Sequence, residues 1–150
     1  MRQDVQIRPM EMADIPEVLR IEEDCFSEPW TYQGFVDALA SEMNLFAVAV
    51  VGDGQIAGYC GLYTSLDEGE ITNVAVENSF RRQGVARCIL DALIEKSLQM
   101  GISQIFLEVR ASNVPARSLY SSFQFEEVGV RKNFYRLPTE DAIVMCRKND

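Results

Sequence analysis

The sequence predicts an α/β layered domain on a mixed sheet. Two observations predict it. Apolar periodicity alternates between strand and helix spacing along the whole chain, in the order β-α-α-β-β-β-α-β-α-β-β. At 150 residues the chain is one domain long, enough to bury roughly 70% of its unfolded surface in a single core. No repeat, low-complexity tract or linker divides it, so residues 1–150 read as one unit.

The elements follow in order. "VQIRPM" is a short strand. Residues 12–26 place Ile15, Val18, Leu19, Glu22, Cys25 and Phe26 at helical spacing, with Asp14 as cap and Pro16 in the first turn. A second short helix runs from Thr31 to Ala40. "LFAVAVV" and "QIAGYCGLYT" are strands joined through Gly52-Asp53-Gly54, a hairpin signal, and "GEITNVAVE" is a third strand. Residues 84–101 form a long amphipathic helix whose face is Val85/Ala86, Ile89/Leu90, Leu93/Ile94 and Leu98, stopped by Gly101. "SQIFLEV" is a strand. "NVPARSLYSSF" is a helix capped by Asn113, and the strands "EEVGVRKNFY" and "DAIVMCR" close the chain.

Composition excludes several chemistries. There is no histidine, which removes Ser-His-Asp and Cys-His sites and His-ligated zinc. The four cysteines (Cys25, Cys60, Cys88, Cys146) are too widely spaced for a CxxC metal clip, so no metal is expected, and Cys88 and Cys146 read as small core residues. Acid–base work falls to Glu, Asp, Tyr, Cys or Lys. The longest apolar run, "LFAVAVV", is far short of a membrane span, and "MRQDVQIRP" has no signal core, so a cytoplasmic location without membrane attachment is expected.

The net charge of −9 is unevenly spread. Residues 1–75 hold 3 Lys/Arg against 14 Asp/Glu, a net of −11; residues 76–150 hold 11 against 9, a net of +2. The first half suits a cation and the second an anion. Overall acidity argues against nucleic-acid binding.

The anion site is "RRQGVA", residues 81–86, between a strand and the long helix. A helix start offers unpaired amides and a partial positive charge, and a glycine lets a phosphate approach the backbone. On spacing alone a solvated basic turn explains the stretch equally well. It is neither a Walker loop nor a GxGxxG fingerprint.

The order "NVAV…RRQGVA…FLEVRASN…ARSLY" resembles the GCN5-related N-acetyltransferase superfamily. Arg81 through Ala86 match its [RQ]-x-x-G-x-[GA] motif. "FLEVRASN", the following "LY", "EPW" and "EDAIVM" look like its ribosomal-protein-alanine N-acetyltransferases, the RimI type. The resemblance spans nearly the whole chain and is strongest over residues 71–125. It implies a mostly antiparallel central sheet flanked by helices, and acetyl-coenzyme A as acetyl donor. Arg82, Gln83, Gly84, Val85, Ala86 and Arg87 would then cradle the pyrophosphate. Val74, Ala75 and Val76 would pair with the pantetheine arm, and Asn113 would lie near the thioester.

The same resemblance assigns chemistry. Acylating an amine needs a neutral nitrogen, and the departing thiolate needs a proton. Alternation in "QIFLEVR" puts Glu108 on a face with Phe106, near the strand's end. By resemblance Glu108 is the general base, acting through water; read by itself it is a rim glutamate paired with Arg110 or Arg131. Tyr120 lies on a helix face with Ala116, Leu119 and Phe123, where it reads equally as a core tyrosine. By resemblance its phenol is the general acid. The cysteines read as structural and none has a histidine to activate it, which favours direct transfer over an acyl-enzyme.

By resemblance Trp30 and Tyr135 are aromatic walls of the acceptor pocket; read by themselves they are core lids equally well. The acceptor implied by the resemblance is the basic, alanine-first N-terminus of small-subunit ribosomal protein eighteen. A small-molecule amine, a lysine side chain, and a non-catalytic acyl-CoA-binding module are the alternatives, with a nucleotide-binding protein behind them; oligomeric state is open. Two positions depart from the family pattern: Gln124 stands where a glycine is usual, and Phe134 where relatives often carry a second tyrosine. A glutamine in a left-handed cap costs roughly 1 kcal/mol.

Overall fold

The computed structural model describes residues 4–52 and 54–149; Asp53 of the expected hairpin turn lies outside them. The strands are β1 (Val5–Pro9), β2 (Asn44–Val51), β3 (Gln55–Ser65), β4 (Glu68–Val76), β5 (Gln104–Arg110), β6 (Glu126–Tyr135) and β7 (Glu140–Lys148). The helices are α1 (Ile15–Cys25), α2 (Tyr32–Leu39), α3 (Val85–Gln99) and α4 (Val114–Ser122). Their order is the one that periodicity predicts, with two single-turn 3-10 segments added before α1 and α3.

The seven strands form one sheet, β1-β2-β3-β4-β5-β7-β6, antiparallel everywhere except between β4 and β5. The apolar run of β2 is buried on both sides of that sheet. Ala47, Ala49 and Val51 join the core under α3, with Ile89, Leu90 and Leu93. Phe46 and Val48 join the core under α1 and α2, with Ile15, Val18 and Phe35. Both faces of the sheet are thus covered, which explains why β2 reads as a continuous hydrophobic segment.

Three local details differ from expectation. Asp14 precedes α1 but does not cap it. Its carboxylate accepts the Glu11 amide at 2.8 Å and holds a two-pronged pair with Arg8, at 2.8 and 2.9 Å, and this charge-assisted pairing displaces the cap. Leu98 is nearly half exposed, because the last turn of α3 brings Ser97 to the inward position instead; its hydroxyl donates to Ile94 O. Cys88 is only half-buried, whereas Cys146 is in the core.

The feature that positions the site is an irregularity in β4. Gly61 pairs with Asn73 and Leu62 with Ile71, leaving Thr72 as a bulge. A bulge shifts the side-chain alternation by one residue. Ile71 and Val74 therefore both face the α3 core, while Asn73 is turned to the α1 side. Beyond this point the sheet opens. β4 and β5 pair only over Glu68–Glu70 and Gln104–Phe106, and the remainder of each strand has no partner across the gap.

Candidate active site

The gap between β4 and β5 is the floor of a cleft of about 670 Å³. Its walls come from the α1–α2 connection (Phe26 to Trp30), β4 (Glu70 to Val74), β5 (Leu107 to Arg110), the start of α4 and the β6–β7 connection. Among the described residues, the buried side-chain polar atoms without a hydrogen-bond partner are Thr72 Oγ1, Asn73 Oδ1 and Glu108 Oε2. All three residues line this cleft. Unsatisfied buried polar atoms are rare and costly, so Thr72 Oγ1 and Asn73 Oδ1 suit a place that meets a ligand, while Glu108 Oε2 has only the ion-pair contact described below.

The open edge of β4 presents a defined set of backbone groups. The Glu77 amide donates to Ala57 O on β3 at 2.7 Å, so by alternation the backbone of Ala75 also faces β3. Val74 and Val76 face the gap. Val76 O there accepts from Cys25 Sγ at 3.7 Å and Arg81 Nε at 3.4 Å. Of the three residues expected to pair with an extended ligand, Val74 and Val76 have the free edge and Ala75 does not. Gly58 lets the strands close this tightly: a Cβ there would lie 2.6 Å from Ala75 O.

At the far end of that edge lies the RRQG turn. Arg82 and Gly84 take left-handed conformations (φ 63° and 83°), which turn the chain sharply into α3. Gly84 occupies the cap position and no side chain caps the helix, so the first-turn amides of Val85, Ala86 and Arg87 are left for an external acceptor. No acidic residue lies in that turn. The three arginines divide: Arg81 folds back onto Cys25 and Val76, Arg82 is exposed, and Arg87 lies over the Phe123 ring at 5.6 Å. Gln83 is tied to Ser79 O by its side chain.

Glu108 enters from the α1 side of β5. Its Oε2 lies 2.8 Å from Arg131 Nε, close enough for charge pairing, yet the N–H is not directed at it and no hydrogen bond forms. Burial raises its pKa, with the Glu70 charge adding to the rise and Arg131 opposing it. A carboxyl raised in this way binds a proton more readily than a surface glutamate does. The alternative partner, Arg110, points elsewhere. It bonds Arg136 O and Pro138 O at 2.9 Å, Glu140 and Ser27, and stacks on the Tyr135 ring at 4.6 Å. It fastens the β6–β7 connection to the α1–α2 connection.

Tyr120 enters from the opposite, α3–α4 side, its ring against Phe125 at 5.8 Å. Burial pushes its phenol pKa well above the ordinary value, so the hydroxyl stays protonated. The hydroxyl makes no hydrogen bond to another described residue. Tyr135 sits between the two: burial and the Glu108 charge push it up to about 12, and it in turn acts on Tyr120. Asn113 caps α4, accepting from the Ala116 amide at 3.3 Å, and lines the cleft. Trp30 lines it too, but is also the lid of an aromatic cluster with Phe35, Phe46 and Tyr63, at 5.1 to 6.1 Å.

The cleft is strongly acidic. Among the described residues, Glu22, Glu28, Glu70 and Glu108 line it with the cation Arg110, while Arg131 and Arg136 pair with Glu108 and Glu28 from beyond the lining. Glu22 is the residue whose role sequence reasoning missed. Its signal was a carboxylate on the apolar face of α1, where it is 2% exposed.

The sequence profile of the Acetyltransferase (GNAT) family matches residues 15–125. The chain belongs to the GNAT family. It is 34% identical over 144 residues to the [ribosomal protein bS18]-alanine N-acetyltransferase of Escherichia coli strain K12, covering 93% of this chain and 95% of that protein. It is 32% identical over 158 residues to an N-alpha-acetyltransferase of Saccharolobus solfataricus, covering 96% and 93%. Among solved structures it superposes on the Escherichia coli ribosomal-protein-S18-alanine N-acetyltransferase with a TM-score of 0.90 at 33% identity, over 97% of this chain and 94% of that one. The opened sheet and the motif turn therefore belong to a family fold, and the likeness extends over nearly the full length of both relatives.

Proposed function

We propose that the protein transfers an acetyl group from acetyl-CoA to the N-terminal α-amine of a protein, with the alanine-first N-terminus of ribosomal protein bS18 as acceptor. The observation that carries this reading is the parted β4–β5 pair, with a free amide edge on one side and two proton-handling groups entering from opposite faces. The free amides of Val74 and Val76 suit an extended amide-bearing arm, which would pair with β4 as a strand does. The uncapped start of α3, with Arg82 and Arg87 beside it, suits the pyrophosphate at the end of that arm. The thioester would then lie in the gap, near Asn113.

Acetyl-CoA supplies an activated acyl carbon and a thiolate leaving group. The protein's part is proton management and placement. Glu108, whose proton affinity burial raises, takes a proton from the acceptor ammonium through water. The Tyr120 phenol, held protonated and without an internal partner, is free to donate to the departing sulfur. Holding amine and thioester together across the gap contributes the larger share of the acceleration. Glu28, Glu70 and Glu108 attract a cationic peptide end, while Trp30 and Tyr135 wall it.

The test is release of free coenzyme A thiol from acetyl-CoA with four acceptors: an alanine-first arginine-rich peptide, its N-terminally blocked twin, a blocked lysine peptide, and spermidine. Release with the free-amine peptide alone is expected. Release with spermidine or the lysine peptide would move the acceptor to a small-molecule or side-chain amine. Binding of acetyl-CoA without turnover would refute the enzymatic reading.

A further inference from the structure

Glu22 is a carboxylate buried to 2% exposure on the cleft floor, and no basic side chain pairs with it among the described residues. Burying a charge without a counter-ion is expensive, and a leucine there would simply continue the apolar face of Ile15 and Val18. Instead the carboxylate accepts three hydrogen bonds. Oε1 takes the Tyr59 hydroxyl and, at 3.2 Å, the Asn73 side-chain amide; Oε2 takes the backbone amide of Trp30 at 2.9 Å.

These donors belong to three separate elements, two of which, carrying Trp30 and Asn73, line the cleft. Trp30 ends the α1–α2 connection, the wall assigned to the acceptor. Tyr59 is fixed in the core on β3, with no exposure. Asn73 follows the Thr72 bulge and directly precedes Val74, whose amide faces the gap. Among the described residues, no other side chain bonds both the α1–α2 connection and β4.

We infer that Glu22 is a positioning residue that couples the acceptor wall to the donor-binding edge. Through it Trp30 and the bulge before Val74 keep a fixed separation, so amine and thioester meet in register. The inference rests on the proposed assignment of the two walls, and it touches neither reactant directly.

The test compares Glu22→Ala, Glu22→Gln, Asn73→Ala and the double variant Glu22→Ala/Asn73→Ala. KM is measured for peptide and for acetyl-CoA, with melting temperatures and calorimetric acetyl-CoA affinity. Glu22→Ala strands the Trp30 amide and the Asn73 amide together, and is expected to raise both KM values about tenfold. Asn73→Ala should raise only the acetyl-CoA value. The double variant should be no worse than Glu22→Ala alone, since both act through one network. Glu22→Gln should stay within about threefold of the native enzyme. Its amide can turn to meet all three partners, because the Tyr59 hydroxyl can accept and the Asn73 amide can flip. If Glu22→Ala does not fold, Tyr59→Phe removes one donor while keeping the ring, and should show the same double KM effect at smaller size.

Unchanged KM values at a lowered melting temperature would make Glu22 structural only and overturn the inference. So would additive effects in the double variant, or a Glu22→Gln as impaired as Glu22→Ala, which would assign the effect to charge. A native enzyme that turns over no amine acceptor refutes the proposed function instead; the acetyl-CoA affinities of the four variants still decide the Asn73 arm.

Discussion

Replacing Tyr120 with phenylalanine separates catalysis from stability more sharply than any other single change. The ring is packed against Phe125 and counts in the α3–α4 core, but the hydroxyl makes no hydrogen bond to another described residue. Removing an oxygen that bonds nothing forfeits none of the ~1 kcal/mol that a paired hydroxyl contributes, so stability should move by about 0.5 kcal/mol or less. A general acid contributes about 10²- to 10⁴-fold to rate, or roughly 2.7 to 5.4 kcal/mol at the transition state. The variant should therefore melt within a few degrees of the native protein while kcat falls at least about a hundredfold and acetyl-CoA affinity holds. Because burial keeps the phenol protonated through the neutral range, the native pH–rate profile should show no limb that disappears in the variant. Initial rates of thiol release, with calorimetric melting and acetyl-CoA titration, check all of this. Turnover near the native rate would refute the acid assignment. A matching collapse of stability would show that the hydroxyl has a structural partner.

Glu108→Gln should lower kcat by about 10²- to 10⁴-fold and, unusually, raise the melting temperature near pH 7. The sign follows from the raised pKa: the folded state favours the neutral carboxyl, so its contribution is fully present below the ordinary value of 4.5 and is lost as pH rises through the folded value. The stability gap between variant and native protein should accordingly close as pH falls below about 4.5, which melting curves across pH will show. Val74→Pro removes an amide that faces the gap rather than β3, and should weaken acetyl-CoA binding about tenfold or more while leaving a folded protein, read by calorimetry and circular dichroism. Gln124 holds a left-handed φ of 66°, so Gln124→Gly should stabilise the fold by roughly 1 kcal/mol in denaturant titration without changing kcat.

The fold was legible because its signals are local. Every expected strand and helix is present, and the ends of β6 coincide with the reading from periodicity. Thr31, read as the first residue of its helix, is in fact its cap, whereas the Asn113 cap was visible as a small polar residue before an apolar-periodic run. Asp14 looked the same but was claimed by Arg8, a partner on another element that spacing cannot reveal. Of the residues singled out from sequence, Glu108, Tyr120, Asn113, Trp30 and Tyr135 line the cleft, whereas the turn into α3 lies outside its lining. The site's other determinants arise from pairing. The Thr72 bulge exists only in the register of β4 against β3, and it decides that Val74 and Val76, not Ala75, face the gap. Glu22 took its place from contacts with Tyr59 and Asn73, 37 and 51 positions away in sequence. Arg110 and Arg131 were equally plausible partners for Glu108 by sequence. Strand alternation does not separate them, and the competing carbonyls of the β6–β7 connection do.

The most direct test of the central claim is tandem mass spectrometry of the alanine-first peptide after incubation with the enzyme and acetyl-CoA, the peptide carrying one internal lysine. Acetyl is expected on the N-terminal nitrogen with the lysine unmodified, and the product lowered at least about a hundredfold in Glu108→Gln at equal incubation time. Acetyl on the lysine, or equal labelling of both amines, would contradict the claim.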